Sequence, residues 1–255
     1  MVHVRAPLSS ETLDPELLAA TIVVGNSAAT IRALDDRLPA DRRRVVHNFI
    51  ETGPFAAGRD IRETFFGERP PVVGFVGVFR PEKGIEYFLE MARIIAADRP
   101  GIRFLAVGGE SAVQDVGWVG RMKAYAEDLG VGRVVHFAGS RSDIPDVMRS
   151  IDVLVVPSLN EGFGRVIIEA NAAGTPAVGA DAAGIPEVVE DGVTGLLVPP
   201  RDPSSMAAAC LRLLDDREWR ARLRRTLPRR VAERFSPATQ LRLIESAWSD
   251  AVRGE

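Results

Sequence analysis

Short runs rich in β-branched residues alternate with amphipathic stretches along most of this chain, and that alternation constrains the fold more than any other feature. The runs are TIVVG (21–25), RVVHNF (44–49), VVGFVGVF (72–79), IRFLAVGG (102–109), RVVHFAG (133–139), DVLVVPS (152–158), TPAVGA (175–180) and GLLVPP (195–200). Between them lie stretches with helical periodicity, such as EYFLEMARIIAADR (86–99) and GRMKAYAEDLG (120–130). A strand that is apolar on both faces must be covered on both faces, and strands separated by helices pair in parallel through right-handed crossovers. The expectation is an α/β fold, with a Rossmann-like parallel sheet flanked by helices.

A length of 255 residues allows one or two domains. The stretch IETGPFAAGRDIRETFFGERP (50–70) reads as a loop-like linker, because it holds Gly53, Pro54, Gly58, Gly67 and Pro70. Upstream, residues 1–49 offer too few strands and helices for a core of their own, so an incomplete α/β piece is expected there. Downstream, residues 71–235 are long enough for a complete α/β domain. A terminal helix is expected in SPATQLRLIESAWSDAV, within 236–255. The arginine-dense stretch 217–234 reads as a solvated helix face with a break near Pro228.

Composition removes several functional classes. The formal net charge of -3 gives no overall attraction to nucleic acid, so no nucleic-acid partner is expected. A single cysteine, Cys210, excludes an intrachain disulfide framework. The first residues, MVHVRAPLSSETLD, lack the apolar core of a signal peptide, and VVGFVGVF is too short to span a bilayer. A cytoplasmic location is expected, with peripheral attachment at the inner face of the membrane as the variant.

Chemistry gathers where strands end and helices begin. EGFGRVIIEA (161–170) follows the strand DVLVVPS, placing it at the carboxyl edge of the sheet, where open α/β folds bind ligands. Gly162 and Gly164 permit close backbone approach, and the free amides near Gly164, Arg165 and Val166 favour an anion. Glu161 precedes the helix and can face the cleft. Glu169 lies within it among Val166, Ile167, Ile168 and Ala170, where a carboxylate is costly unless hydrogen-bonded. Two readings stay open for Glu169: it accepts from the hydroxyls of a bound sugar, or it pairs with an arginine or lies at the surface. GVFRPEKG (77–84) sits at another strand end, with Gly77 and Gly84 bracketing Lys83. Lys83 suits a phosphate as a point charge, or is a solvated loop lysine. The glycine-rich AAGIPEVVEDGVTGLLVPPRD (182–202) adds tight turns at the same edge.

Taken in order, PEKG, then VHFAG with DIPDVMRSIDVLVVPS, then EGFGRVIIEANAAGTPAVGADAAGIPEVVEDGVTGLLVPPRD resemble one family over about residues 20–250. That family is the retaining GT-B glycosyltransferases of family 4 (glycosyl transferases group 1), and the likeness is to their C-terminal donor-binding domain. The resemblance implies a nucleotide diphosphate sugar as donor, of UDP or GDP type, and no metal or other cofactor. It implies that Glu169 bonds the ribose hydroxyls and that Glu161 contacts the transferred sugar. Amides from Phe163 to Val166 would hold the diphosphate, with Gly77 and Arg80 nearby, and Lys83 would neutralise the leaving group. The base would lie against Gly139, Ser140 and Arg141. The acceptor, a glycan, lipid or small molecule, is not named by the sequence.

Two departures accompany the resemblance. The family usually carries an arginine directly after the glycine of GVFRPEKG, and here that position is Val78. Arg80 points to the other face if the strand continues, unless a loop swings it inward. Most of the N-terminal domain is also missing, and MVHVR resembles one of its strands, which puts His3 where the family often has an active-site histidine. A fragment, a split enzyme or a non-catalytic binding remnant are the readings that follow. Apolar surface on residues 1–49 and on the last helix is expected to be exposed, which suits a homodimer or a partner carrying the missing domain. A third class, a serine hydrolase built on Ser27 of VGNSAA, lacks the second glycine of a nucleophile elbow and a clear triad.

Overall fold

The computed structural model describes residues 1–5, 15–34, 36–110 and 116–253. Its strands are β1 (Val2–Val4), β2 (Val23–Gly25), β3 (Arg43–Val45), β4 (Val72–Val76), β5 (Arg103–Val107), β6 (Val135–Gly139), β7 (Val153–Val156), β8 (Ala177–Ala180) and β9 (Gly195–Val198). Its helices are α1 (Pro15–Ala19), α2 (Ala28–Ile31), α3 (Gly53–Ala56), α4 (Arg62–Phe66), α5 (Ile85–Asp98), α6 (Trp118–Asp128), α7 (Ile144–Arg149), α8 (Arg165–Ala172), α9 (Pro203–Asp215), α10 (Arg217–Arg234) and α11 (Pro237–Arg253).

The larger sheet runs β6-β5-β4-β7-β8-β9, parallel throughout. Every residue of β7 and β8 is buried, because helices cover both faces. α5 shows how they do so: Ile85, Phe88, Leu89, Met91, Ala92 and Ile95 form one apolar stripe, all buried. Each large side chain removed from water in this way contributes about 1.5–3 kcal/mol before entropy is subtracted. The strand order reverses between β4 and β7. In such sheets the crevice for a ligand opens at that switch, outside the carboxyl ends of the strands.

A smaller parallel sheet, β1-β2-β3, is built from strands of three residues each. One face packs Val4, Val23, Ile31, Leu34 and Leu38. The other carries Ile22, Val24 and Val46, and these are covered by Ile244, Ala247 and Ala251 of α11. The last helix thus closes the core of the first strands, and Arg44 pairs with Asp250 beside it at 2.8 Å. On its outer side α11 exposes Leu241, Leu243, Trp248 and Val252.

Two local expectations are corrected. The segment 50–70 is not a bare loop: α3 and α4 occupy it, and Phe55, Phe65 and Phe66 pack on the core of the larger unit. Arg62 is buried there, bonded to Asp60, Asp152 and the Pro70 carbonyl, which anchors the segment. The expected break at Pro228 does not occur, since α10 runs through it. Trp219, Leu223, Leu227 and Val231 recur every fourth residue and are buried on both sides of the proline. That packing outweighs the missing amide. The Arg224 carbonyl, which an amide at 228 would have met, lies against Gly174, where a Cβ would come within 2.8 Å of it. The structure agrees with the sequence in setting the Ser27 hydrolase aside. Ser27 is buried and caps α2 in a reciprocal pair of bonds with Thr30.

Gly108 continues the ladder beyond β5 with a φ of 140°, and a Cβ there would lie 1.8 Å from the Gly77 carbonyl oxygen. Gly108→Ala is therefore expected to destabilise the protein by about 2–4 kcal/mol, read as a lower denaturant midpoint.

Candidate functional site

The carboxyl ends of β4 and β7 carry the two motifs that the sequence singles out, and the fold brings them together. β4 stops at Val76, so the chain after it is free to turn. Phe79 becomes buried while Arg80 turns back to line a cavity of about 460 Å³ with Gly77, Val78, Gly109, Ser140 and Arg141. Of the two orientations considered for Arg80, the structure has the one in which a loop swings it inward. Its guanidinium lies 3.6 Å from Glu82. Pro81–Lys83 forms a 3-10 turn, ended by Gly84 at a φ of 68°. A Cβ on Gly84 would lie 2.6 Å from the Pro157 carbonyl, so this glycine lets the two strand ends meet.

That meeting joins Lys83 and Glu161, with Nζ 2.6 Å from Oε2 and both side chains half-buried. They line a smaller cavity of about 180 Å³ with Gly77, Val78, Arg165 and Val166. Glu161 and Arg165 in turn line a third cavity of about 470 Å³, together with His3, Arg5, Asn26, His47 and Phe163. Because neighbouring cavities share residues, they form one cleft. It runs from the Ser140–Arg141 loop, past the Lys83–Glu161 pair, to the carboxyl ends of β1 and β2.

Gly164 caps α8 at a φ of 88°, in the left-handed region that a side chain would resist. Among the described residues, no acceptor takes the amides of Gly164, Arg165 or Val166. They present partial positive charge beside Lys83. Phe163 does not face the cleft with its whole side chain. Its ring is buried, stacked on His47 at 5.2 Å and edge-on to Phe235 at 5.6 Å. Gly162 lies against the Arg5 carbonyl, where a Cβ would come within 2.6 Å.

Glu169 is largely buried, and its Oε1 lies 3.0 Å from Arg165 Nε one helical turn back. Burial pushes its pKa up, and Arg165 offsets this only in part. In this state the arginine partner of the two readings is in place. Arg165 itself is mostly exposed, so the pair can open without disturbing the core. Gly139, at a φ of 69°, follows an irregularity in the β5–β6 pairing that turns Ser140 and Arg141 toward the first cavity. The Arg141 guanidinium is engaged by Asp143 and lies over Phe65.

His3 reaches the cleft beside Glu161, and partial burial and the nearby Arg5 lower its pKa. The sequence reading missed Gly108–Glu110 at the first cavity, and Arg5, Asn26 and His47 at the third. The glycine pair ending AVGGE was a usable signal for the first group. Nothing local marks the second.

Residues 58–230 match the family described as glycosyl transferases group 1. The chain belongs to that family. It is 34% identical over 202 residues to a D-inositol 3-phosphate glycosyltransferase of Corynebacterium kroppenstedtii, covering 78% of this chain and 44% of the relative. It is 33% identical over 236 residues to the Thermobispora bispora protein of the same name, covering 88% and 54%. The chain thus spans about half the length of these relatives. Its fold is that of the GT-B glycosyltransferases. Anabaena Alr3699/HepE in complex with UDP and glucose superposes with a TM-score of 0.86 at 26% identity, covering 97% of this chain and 70% of that one. Sucrose-phosphate synthase of Thermosynechococcus elongatus gives 0.79 at 26% identity, covering 97% and 64%. Among the described residues, no helix is long and apolar enough to cross a membrane.

The raised pKa of Glu169 fixes the sign of a linkage. A carboxyl whose pKa is higher folded than unfolded costs stability once pH exceeds the unfolded value, here 4.5, and costs nothing below it. Glu169→Gln is expected to raise Tm at neutral pH, with the gain vanishing as pH falls below 4.5, measured by thermal denaturation of both chains.

Proposed function

We propose that this chain supplies the donor half of a retaining, family 4 glycosyltransferase that moves a sugar from a UDP-type nucleotide sugar to a hydroxyl acceptor. The observation that carries the reading is the Lys83–Glu161 pair, set at the switch point between a cavity on each side. The base goes to the cavity at Gly109, Ser140 and Arg141, and the ribose hydroxyls to Glu169, replacing Arg165. The diphosphate goes to the free amides opening α8, with Lys83 and Arg80 as counter-charges. The sugar lies against Glu161. As the bond from the anomeric carbon to the diphosphate breaks, negative charge grows on the leaving oxygen, and Lys83 with the α8 amides stabilises it. The acceptor oxygen bonds the same carbon, and its proton passes to the departing diphosphate oxygen as the nucleoside diphosphate leaves. The reading invokes no metal.

The acceptor is assigned to the cavity at Arg5 and Asn26. Glu161 there is paired with Lys83, Arg165 is released from Glu169 once the ribose takes its place, and Arg5 has no carboxylate partner among the described residues. A small polyol carrying an anionic group suits that charge balance, as does the inositol phosphate in the relatives' names. His3 is placed within the same cavity, beside the acceptor. Val78, exposed at the cleft where a cation would help, favours a second reading, in which the chain binds the nucleotide sugar without turnover.

A thermal-shift screen against UDP, GDP, ADP and their sugar conjugates tests the donor assignment. Tm is expected to rise with the uridine compounds, and no shift with any nucleotide would remove the reading. Glu169→Ala is expected to weaken UDP binding about 10- to 100-fold in a calorimetric titration, the scale of one lost charged hydrogen bond. Val78→Arg is expected to tighten it; weaker binding by a folded Val78→Arg chain would take residue 78 away from the phosphates.

A further inference from the structure

One carboxylate joins the two units at their seam, and no part of the donor chemistry uses it. Glu187 ends a 3-10 turn (Ile185–Glu187) after β8, in the larger unit. Its Oε2 accepts from Ala28 N–H at 2.8 Å and its Oε1 from Ala29 N–H at 2.9 Å. These are the first two amides of α2, in the smaller unit, and Ser27 has already capped the third with its own hydroxyl. The α2 cap is therefore completed by a residue 159 positions away. Bonds from amides to an ionised acceptor are the stronger kind, and here the acceptor is also at the positive end of a helix.

The same carboxylate lies 3.4 Å from His47 Nε2. His47 stacks on Phe163 and meets Phe235 edge-on at 5.7 Å. Phe163 is the aromatic of the EGFG turn, so the ring holds that turn from the side. A second link runs through the backbone. Gly184 N–H donates to the Glu161 carbonyl at 2.8 Å, and a Cβ on Gly184 would lie 2.3 Å from the Gly162 carbonyl oxygen. The turn that carries Glu187 is thus bonded directly to the residue that carries the Glu161 carboxylate.

We infer that Glu187 and His47 are positioning residues, a clasp across the seam that holds the 161–164 turn in register with the β1–β2 edge so that Glu161 faces both cavities. Neither reaches the donor. Their action is on the backbone of Glu161 and the ring of Phe163. The inference rests on the donor reading for its consequence, but the clasp is observable without any nucleotide.

The experiment is amide-resolved hydrogen exchange on the whole chain, without ligand, in the parent, Glu187→Gln and His47→Gln. Glutamine keeps one acceptor at 187 and turns an NH2 toward an amide donor, so the double bond to α2 cannot persist. Exchange in Glu187→Gln is expected to quicken about tenfold or more at Ala28 and Ala29, and also at Gly184 and Ile167, whose amides report on the 161–164 turn. Faster exchange confined to Ala28 and Ala29 would make Glu187 a simple helix cap and overturn the inference. If Glu187→Gln does not fold, His47→Gln decides. It leaves the carboxylate on α2 but removes the ring from Phe163, and unchanged exchange at Gly184 and Ile167 would overturn the inference equally. UDP titration of the same chains separates the two readings. A parent chain that binds no UDP defeats the donor assignment alone, whereas a parent that binds is expected to lose about 3- to 10-fold in affinity on Glu187→Gln.

Discussion

A parallel sheet cannot leave either face in water, and most of this structure is a response to that demand. Strands β7 and β8 are buried end to end, so their side chains leave no room for function along their length. Polar chemistry is displaced to the places where strands stop. At the reversal of strand order, the chain after β4 leaves in one direction and the chain after β7 in the other, and a crevice remains between them. Lys83 and Glu161 meet in that crevice because Gly84 brings one strand end against the Pro157 carbonyl of the other. The ion pair is thus a product of sheet topology as much as of the two side chains.

The sheet and its crevice were legible in the sequence because their signals are local. Runs such as DVLVVPS, and glycines beside charged residues, report on neighbours a few positions away. The central E-x7-E pair could be placed on a strand–turn–helix by the same means. Arg80 was harder, because its direction depends on whether β4 ends at Val76 or continues through Phe79, and both residues are apolar. Pro228 misled because the cost of a proline is local, while the compensation comes from Trp219, Leu223, Leu227 and Val231 packing on other helices.

Glu187 and His47 were invisible for a stricter reason. Their partners are 159 and 140 positions distant, respectively, for Ala28 and for Glu187 itself, and no pattern in either neighbourhood announces the contact. The same holds for Asn26 and Arg5, which belong to the cleft only because α11 and the Glu187 contact seat the small sheet where it is. Glu169 is an intermediate case. Its burial was readable from Ile167, Ile168 and Ala170, but its partner was not, and the structure supplies Arg165 one turn away.

The cover that α11 gives to Ile22, Val24 and Val46 has a consequence for the order in which the molecule can be assembled. During synthesis, residues 22–46 leave the ribosome well before residues 237–253. Among the described residues, the cover over the face formed by Ile22, Val24 and Val46 comes from α11, which emerges only later. The larger unit, whose strands and helices follow one another along the chain, can condense in the interval. One face of the small sheet is therefore buried only after the larger unit has formed. Until α11 docks, Ile22, Val24 and Val46 remain open to other chains, so a change that unseats this helix exposes an aggregation-prone face without touching the main sheet.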